Sequence, residues 1–290
     1  MAEKERNNVN GFGRQLNGEL YRMFARRRTH IGFLLFLLIE GLALYFFQKP
    51  GAQRFFEEML TRNGHAFEYY FSALTLALVL LVASVFVLGM LFLALVAGDI
   101  VAKEFEDGTL RMVLSRPVSR VRLLSVKWIS CSIYTGVLIL FLGVTAVVMG
   151  IFERGWGGGF FAFIPEKGVF AVYDWWPGMG RYFFALALLS ISMNTVTSVA
   201  FCLSCLRIKP AAATILTAAV FITDWILALL PPLADYRDWF LTPKLDDWVY
   251  ALSEIVPWWG LVRSYAIIAG IQVTSFVVGW VIFEMRDLKS

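Results

Sequence analysis

Six long apolar runs constrain this chain more than any other feature of its sequence. The hydrocarbon core of a bilayer is about 30 Å thick, and a helix needs about 20 apolar residues to cross it. Backbone polar groups in lipid must be satisfied within the protein, so helices are the expected spanning elements. We therefore predict an all-α integral membrane fold with six transmembrane helices. The predicted spans are residues 31–48, 71–97, 128–152, 182–206, 211–230 and 264–283.

Positive charge predicts the orientation of these spans. An even number of spans places both termini on one side of the membrane. Four segments on that side hold 17 of the 26 Lys and Arg residues: 1–30, 99–127, 207–210 and 285–290. The more basic side faces the cytoplasm, so we expect cytoplasmic termini in a multi-pass protein of the bacterial inner (plasma) membrane. Because the basic residues follow this topology and are not gathered on one soluble surface, they do not indicate a nucleic-acid partner.

Residues 1–30 form a polar, basic segment that precedes the six-helix domain of residues 31–290. Apolar side chains recur at helical spacing from Phe12 to Phe24, and polar residues occupy the other face. This pattern is typical of an amphipathic helix that lies in the membrane interface. The run Arg26-Arg27-Arg28 would meet the anionic headgroups of membrane lipid. An orientation signal explains the arginines equally well, but it does not explain the apolar stripe.

The loop 99–127, between the second and third predicted spans, has the most informative pattern. The second span extends beyond the membrane through acidic residues, and Gly108 can end that helix in a left-handed conformation. Thr109 can then cap a short amphipathic helix, which Arg116-Pro117 would break. A compact turn of this kind fits a docking element for a soluble partner, although an ordinary capped connector has the same features. The candidate docking residues are Glu104, Glu106, Gly108, Thr109, Leu110, Arg111, Val113, Leu114, Ser115, Arg116 and Pro117.

Residues 104–120, Glu-Phe-Glu-Asp-Gly-Thr-Leu-Arg-Met-Val-Leu-Ser-Arg-Pro-Val-Ser-Arg, resemble a signature of ABC-2 type permeases: acidic-x-x-Gly-Thr-Leu, two hydrophobic residues, then Ser-x-Pro-x-Ser-Arg. Residues 283–288 are similar to the Phe-x-x-Arg-Asp-Leu tail of that family. The resemblance implies an exporter with two six-helix permeases, as a homodimer or heterodimer, and two cytoplasmic ATPases. It also implies that residues 108–117 are the coupling helix that sits in a groove of the ATPase. Similar permeases serve in gliding machinery, multicopper-enzyme maturation, and lipid, drug or peptide export, so the substrate stays open.

The ATP-binding signature Gly-x-x-x-x-Gly-Lys-Ser/Thr is absent from the sequence. We therefore expect ATP and Mg²⁺ to bind to a separate subunit, and this chain to carry no catalytic residue, cofactor or metal of its own. An intramembrane metalloprotease would need a His-Glu-x-x-His helix, but the two histidines, His30 and His65, lie in separate regions. Two further functions stay open. One is a secondary transporter, although paired broken helices are not evident, and the other is a membrane anchor that transmits mechanical work without substrate passage.

Three polar residues inside the predicted spans are candidates for a translocation path: Glu40 in the first, Asn194 in the fourth and Asp224 in the fifth. Ionisable groups at membrane depth are unfavourable in lipid and usually face protein or water. Asn194 belongs to a polar stripe that recurs every four residues from Ser190 to Cys202, and such a face meets another helix or a cavity. The alternative interpretation makes all three residues interhelical hydrogen-bonding groups, with Glu40 protonated.

Overall fold

The computed structural model describes residues 2–62, 64, 66–109 and 119–285. Its elements, in chain order, are α1 (Ala2–Phe24), α2 (Arg27–Phe47), α3 (Pro50–Arg62), α4 (Phe67–Tyr70), α5 (Ala73–Ser84), a π-helical segment (Val85–Gly89), α6 (Met90–Glu106), α7 (Arg120–Arg154), β1 (Phe160–Ile164), β2 (Val169–Tyr173), α8 (Trp175–Ser204), α9 (Pro210–Leu229), α10 (Thr242–Leu245) and α11 (Trp258–Glu284). Short 3₁₀ segments cover Pro165–Lys167, Pro231–Trp239 and Asp246–Leu252.

Five helices among the described residues are long and apolar enough to cross a membrane: α2, α7, α8, α9 and α11. They confirm the helical, multi-pass character predicted from the apolar runs. Helices α7, α8 and α11 begin before the predicted runs, because the helical backbone continues past the purely apolar residues. In α7, which has 35 residues, the hydroxyl of Ser119 accepts from the amide of Arg122 at 3.4 Å, and Gly155 follows the last turn at φ +81°.

The second predicted span forms a composite helix that is not regular along its whole length. The chain passes from α5 into the π-helical segment 85–89 and then into α6, and the backbone stays in the right-handed helical region at both junctions. The composite begins at Ala73 because Phe71 takes part in a bridge with Phe160 and Ser72 caps the helix. A π-helical turn adds one residue to the normal helical turn and is frequent at functional sites.

An antiparallel hairpin of β1 and β2 departs from the purely helical expectation. Phe160 pairs with Tyr173 and Ile164 pairs with Val169. All ten strand residues are apolar or aromatic, which favours extended backbone, and the segment is too short to cross a bilayer as a helix. The amide of Phe161 donates to the Thr75 hydroxyl at 2.8 Å. The hairpin therefore covers the end of the bundle where α5 begins and α7 ends.

Helix α8 lies at the centre of the molecule and packs against α6, α7, α9 and α11. Its buried side chains include Tyr182, Leu189 and Phe201. In contrast, only a minority of the residues in the apolar parts of α2, α9 and α11 are buried inside the protein. Such surfaces face lipid or another membrane protein, because apolar patches of this size are unfavourable in water.

The amino-terminal segment forms the predicted helix, α1, and turns into α2 at Ala25 and Arg26. The turn is fastened by the hydroxyl of Thr29, which donates to the carbonyl of Met23 at 2.7 Å. Met23 is buried, and so is Glu19 one turn earlier. Helix α1 therefore packs onto the start of α7 through one face.

Candidate functional site

The described base of the predicted docking loop is the end of α6. Gly108 adopts φ +68°, so the left-handed conformation predicted there is present. Its amide donates to the carbonyl of Phe105 at 3.1 Å, and the amide of Asp107 donates to that of Lys103 at 2.9 Å. This geometry ends the helix and redirects the chain, and glycine adopts it without strain because it has no Cβ. The hydroxyl of Thr109 donates back to the carbonyl of Glu104 at 3.4 Å.

Most of the predicted docking residues lie outside the described part of the chain. Within that part, Glu106 and Gly108 are exposed, while Glu104 and Thr109 are partly buried. The remaining candidates, which fall outside the described residues, are Leu110, Arg111, Val113, Leu114, Ser115, Arg116 and Pro117.

Lys127, near the start of α7, is the group that joins the base of the loop to the helix bundle. Its ammonium donates to Glu104 Oε1 at 2.7 Å, to Glu19 Oε1 at 3.0 Å and to the carbonyl of Ile100 at 3.4 Å. The Lys127 side chain is only 2% exposed. Removing a charge from water is unfavourable unless it is paired and hydrogen-bonded, and here one cation meets two carboxylates. The cluster holds α1, α6 and α7 together, and sequence inspection missed it because a lone lysine gives no pattern.

Other ionic contacts surround this cluster. The Arg120 guanidinium donates to the carbonyl of Glu284 at 2.9 Å, at the end of α11. Arg28 forms an ion pair with Asp99, which ties the start of α2 to α6. The loop 104–120 therefore begins and ends among groups that are fixed to several membrane helices.

Glu40 is fully buried in α2. Thr145 faces its carboxyl, but the Thr145 hydroxyl donates to the carbonyls of Phe141 and Leu142 at 2.9 and 3.1 Å. Neither carboxyl oxygen of Glu40 has a hydrogen-bond partner among the described residues. The Thr145 oxygen can still accept a hydrogen bond, so Thr145 is the candidate partner in the interpretation of Glu40 as a protonated hydrogen-bonding group between helices.

Asn194 and Asp224 have separate surroundings. The amide of Asn194 donates to Gln272 Oε1 at 3.2 Å, between α8 and α11, and Gln272 donates to Thr195 Oγ1 at 3.0 Å. Asp224 accepts from the amide and hydroxyl of Thr242 at 2.6 and 2.5 Å. The carboxylate of Asp224 therefore serves as the acceptor at the start of α10. The polar stripe of α8 thus meets helices, and the three candidate path residues do not converge on shared partners.

Comparison with known proteins identifies the family. A model of the family described as "ABC-2 family transporter protein" matches residues 16–236, which is more than half of the chain. The chain belongs to the ABC-2 transporter family. A segment of 68 residues is also 35% identical to "Uncharacterized protein YhcI" of Bacillus subtilis (strain 168), over 23% of this chain. The chain covers 22% of the length of that relative, so the match adds no function.

Membership makes the chain a permease of an ABC transporter and a multi-pass membrane protein. ABC-2 permeases in general work with an ATP-binding partner. Sequence inspection anticipated this family from the residues 104–120, which lie inside the matched range. In the part of the ABC-2 permease that the structure describes, no group of three or more His, Cys, Asp or Glu side chains is arranged to hold a metal ion.

The permease also contains a cavity of about 370 Å³ that the sequence did not reveal. It lies between the composite helix, α8, α9 and α10, next to the π-helical segment. Its walls are mainly apolar, with Asp246 and Thr242 as polar groups at one end. The other lining residues are Val82, Val85, Met90, Leu91, Leu189, Met193, Val196, Phe221, Ile222, Trp225, Leu245 and Trp248.

Proposed function

We propose that this ABC-2 permease is the membrane subunit of an ATP-driven exporter and that it receives motion from a separate ATPase through the loop 104–120. The observation that carries the proposal is the cluster around buried Lys127. Because Glu104 begins the loop 104–120 and Lys127 follows its end in α7, their contact lets a push on the loop act directly on α6 and α7. The contact with Glu19 carries the same displacement to α1.

We also propose that the chain crosses the plasma membrane six times, with both termini and the loop in the cytoplasm. The composite helix 73–106 would be the second crossing. At about 1.5 Å per residue it is roughly 50 Å long, which exceeds the bilayer core. The irregular π-helical segment explains why neither half alone has the length of a span.

A second permease, either another copy or a homologue, would complete the transporter. The family suggests this pairing, and the exposed apolar surface of α9 offers room for it. On α9, Ile215 is 67% exposed and Val220 is 51% exposed. ATP and Mg²⁺ would bind to the partner ATPase, with this chain supplying no hydrolytic residue.

Labelling of single cysteines tests the orientation on which this function depends. The native Cys131, Cys202 and Cys205 would first be replaced by Ser. Two cysteine variants would then be treated with a membrane-impermeant maleimide on intact cells and on inverted vesicles. One has its cysteine at position 110 in the loop, and the control has it at exposed Asp238, between the fifth and sixth predicted spans. We expect position 110 to react only in inverted vesicles and position 238 only in intact cells. Reaction of position 110 from outside the cell would leave the ATPase without a contact and would end the proposal.

Purification tests whether a separate ATPase binds to this chain. Mild detergent should recover an ATPase of separate sequence with the chain, and a cysteine at position 110 should crosslink to it. Vesicles that contain both proteins should accumulate or expel a substrate only when ATP is present. ATP hydrolysis without any substrate movement would instead favour the membrane-anchor function.

A further inference from the structure

A second cavity, of about 610 Å³, lies where α1 turns into α2 beside the end of α6. Its cationic lining consists of Arg22, Arg26, Arg27, Arg28 and Lys103. We propose that this basic pocket binds the phosphate of an anionic lipid headgroup from the leaflet on the amino-terminal side. The proposal concerns lipid binding by this chain and does not depend on the function proposed above.

The charges of the basic pocket are not balanced by the protein. Arg28 is paired with Asp99, and the carboxylate nearest Arg22 is that of Glu19, at 3.9 Å. In contrast, Arg26, Arg27 and Lys103 form no ion pair with any described residue. Two acidic side chains, Glu104 and Asp107, also line the pocket, but Glu104 is already paired with Lys127. Three uncommitted cations therefore face one uncommitted carboxylate.

Arg28, which lines the pocket, also has a buried guanidinium nitrogen without an acceptor, and a phosphate in the pocket would reach it once the side chain turned toward the pocket. The Nη2 atom of Arg28 is inaccessible to solvent and has no hydrogen-bond partner among the described residues. Buried polar atoms are nearly always hydrogen-bonded, so such an atom indicates a missing partner. A phosphate group supplies several strong acceptor oxygens, and a guanidinium binds them in a fork-like geometry.

The start of α2 adds a further attraction for an anion. Helix α2 has 21 residues, and its first turn contains no acidic residue. The residue before it, Arg26, provides no side-chain acceptor in the described structure. No acidic residue of the first turn offsets the partial positive charge at the helix start, and this charge reinforces the arginines at the same place.

A lipid is favoured over a soluble phosphate by the surface below the pocket. Ile31, Leu34 and Leu38 are exposed by 64%, 64% and 55%. They follow exposed Arg27 at intervals of four, seven and eleven residues, which places all four on one face of α2. A lipid whose phosphate binds at Arg27 could therefore pack its acyl chains against this apolar stripe of α2. Basic pockets at the membrane boundary bind anionic headgroups in this manner.

Lipid titration of a matched pair of variants tests the basic pocket. Purified chain in phosphatidylcholine nanodiscs would be titrated with phosphatidylglycerol, and bound lipid would be counted by native mass spectrometry. Arg27→Gln/Lys103→Gln removes two exposed, uncommitted charges from the pocket. Arg207→Gln/Lys209→Gln removes two exposed charges between α8 and α9, and it serves as the control with the same change in net charge.

We expect the dissociation constant for phosphatidylglycerol to rise at least tenfold in Arg27→Gln/Lys103→Gln and less than twofold in the control. Equal weakening in both variants, or no weakening in the pocket variant, would show diffuse attraction and overturn the proposal. Glycerol 3-phosphate would be added as a soluble competitor. Displacement of the lipid at equal concentrations would assign the pocket to a soluble phosphate ester and would also overturn it. Because the substituted side chains are exposed, thermal unfolding should be unchanged in both variants.

Discussion

Lys127 Nζ lies 2.7 Å from Glu104 Oε1, so the two residues close the loop 104–120 at its base. They are 23 positions apart in the sequence and belong to different helices. Because Lys127 is buried, this contact fixes the relative positions of the two residues. It adds little net stability, because desolvation offsets much of the attraction. The pair thus fixes where the loop leaves the bundle.

Replacement of the buried cation should be strongly destabilising. Lys127→Met leaves Glu19 and Glu104 facing an apolar group, and we expect the free energy of unfolding to fall by about 3 kcal/mol. Thermal unfolding in detergent measures this loss, with Lys209→Met at an exposed site as the control. Adding Glu19→Gln and Glu104→Gln should recover part of the stability. If Lys127→Met unfolded at the wild-type temperature, the cluster would not be a structural joint.

Gly108→Val should separate ATP hydrolysis from transport. Gly108 has φ +68°, and no described atom lies within 4 Å of an added Cβ, so the penalty is conformational. It amounts to about 1–2 kcal/mol for an ordinary residue and is greater for a β-branched one. We expect the valine variant to keep its fold and to lose stimulated transport, measured in vesicles with the co-purified ATPase.

Gly108→Asn is the matched control, because asparagine tolerates the left-handed conformation. It should retain more coupling than Gly108→Val. Equal transport in both variants and in wild type would remove this turn from the coupling mechanism.

Substitutions of Glu40 should separate its effect on stability from its effect on transport. A buried polar group without a partner lowers stability by about 1–3 kcal/mol, so we expect Glu40→Met to raise the unfolding temperature. If Glu40 belongs to the translocation path, the same variant should lose transport, and Glu40→Gln should lose it in part. If Glu40→Met were stabilised and transported as well as wild type, Glu40 would not belong to the translocation path.

Asp224→Ala should loosen the structure of residues 231–252 before it affects transport. Its carboxylate accepts from the amides of Leu241 and Thr242 and from the Thr242 hydroxyl. Asp224→Ala leaves these donors without their acceptor, at about 1.5–3 kcal/mol for bonds to a charged group. Hydrogen exchange of residues 231–252 should accelerate, whereas Asp235→Asn, an exposed change in the same segment, should have no effect. Unaltered exchange with lost transport would favour the path interpretation.

The five helices that are long and apolar enough to cross a membrane could be predicted from the sequence because hydropathy depends only on local composition. The left-handed end of α6 at Gly108 could be predicted for the same reason, since it depends on the absence of a side chain at one residue. The boundaries could not, because a helix continues past the lipid for as long as its backbone bonds and packing allow, as α7 does. The hairpin at 160–173 escaped prediction because its apolar strands resemble a short helical run until they pair.

The sequence by itself determined that this protein is a bundle of membrane helices with a capped turn between the second and third apolar runs, since both follow from neighbouring residues. Only the tertiary structure decided that Lys127 meets Glu19 and Glu104, that Asp224 caps a segment 17 positions away, and that Lys103 joins three consecutive arginines in one pocket. Those relationships bring together residues that are distant in the chain. They depend on how whole helices pack, which no local pattern records.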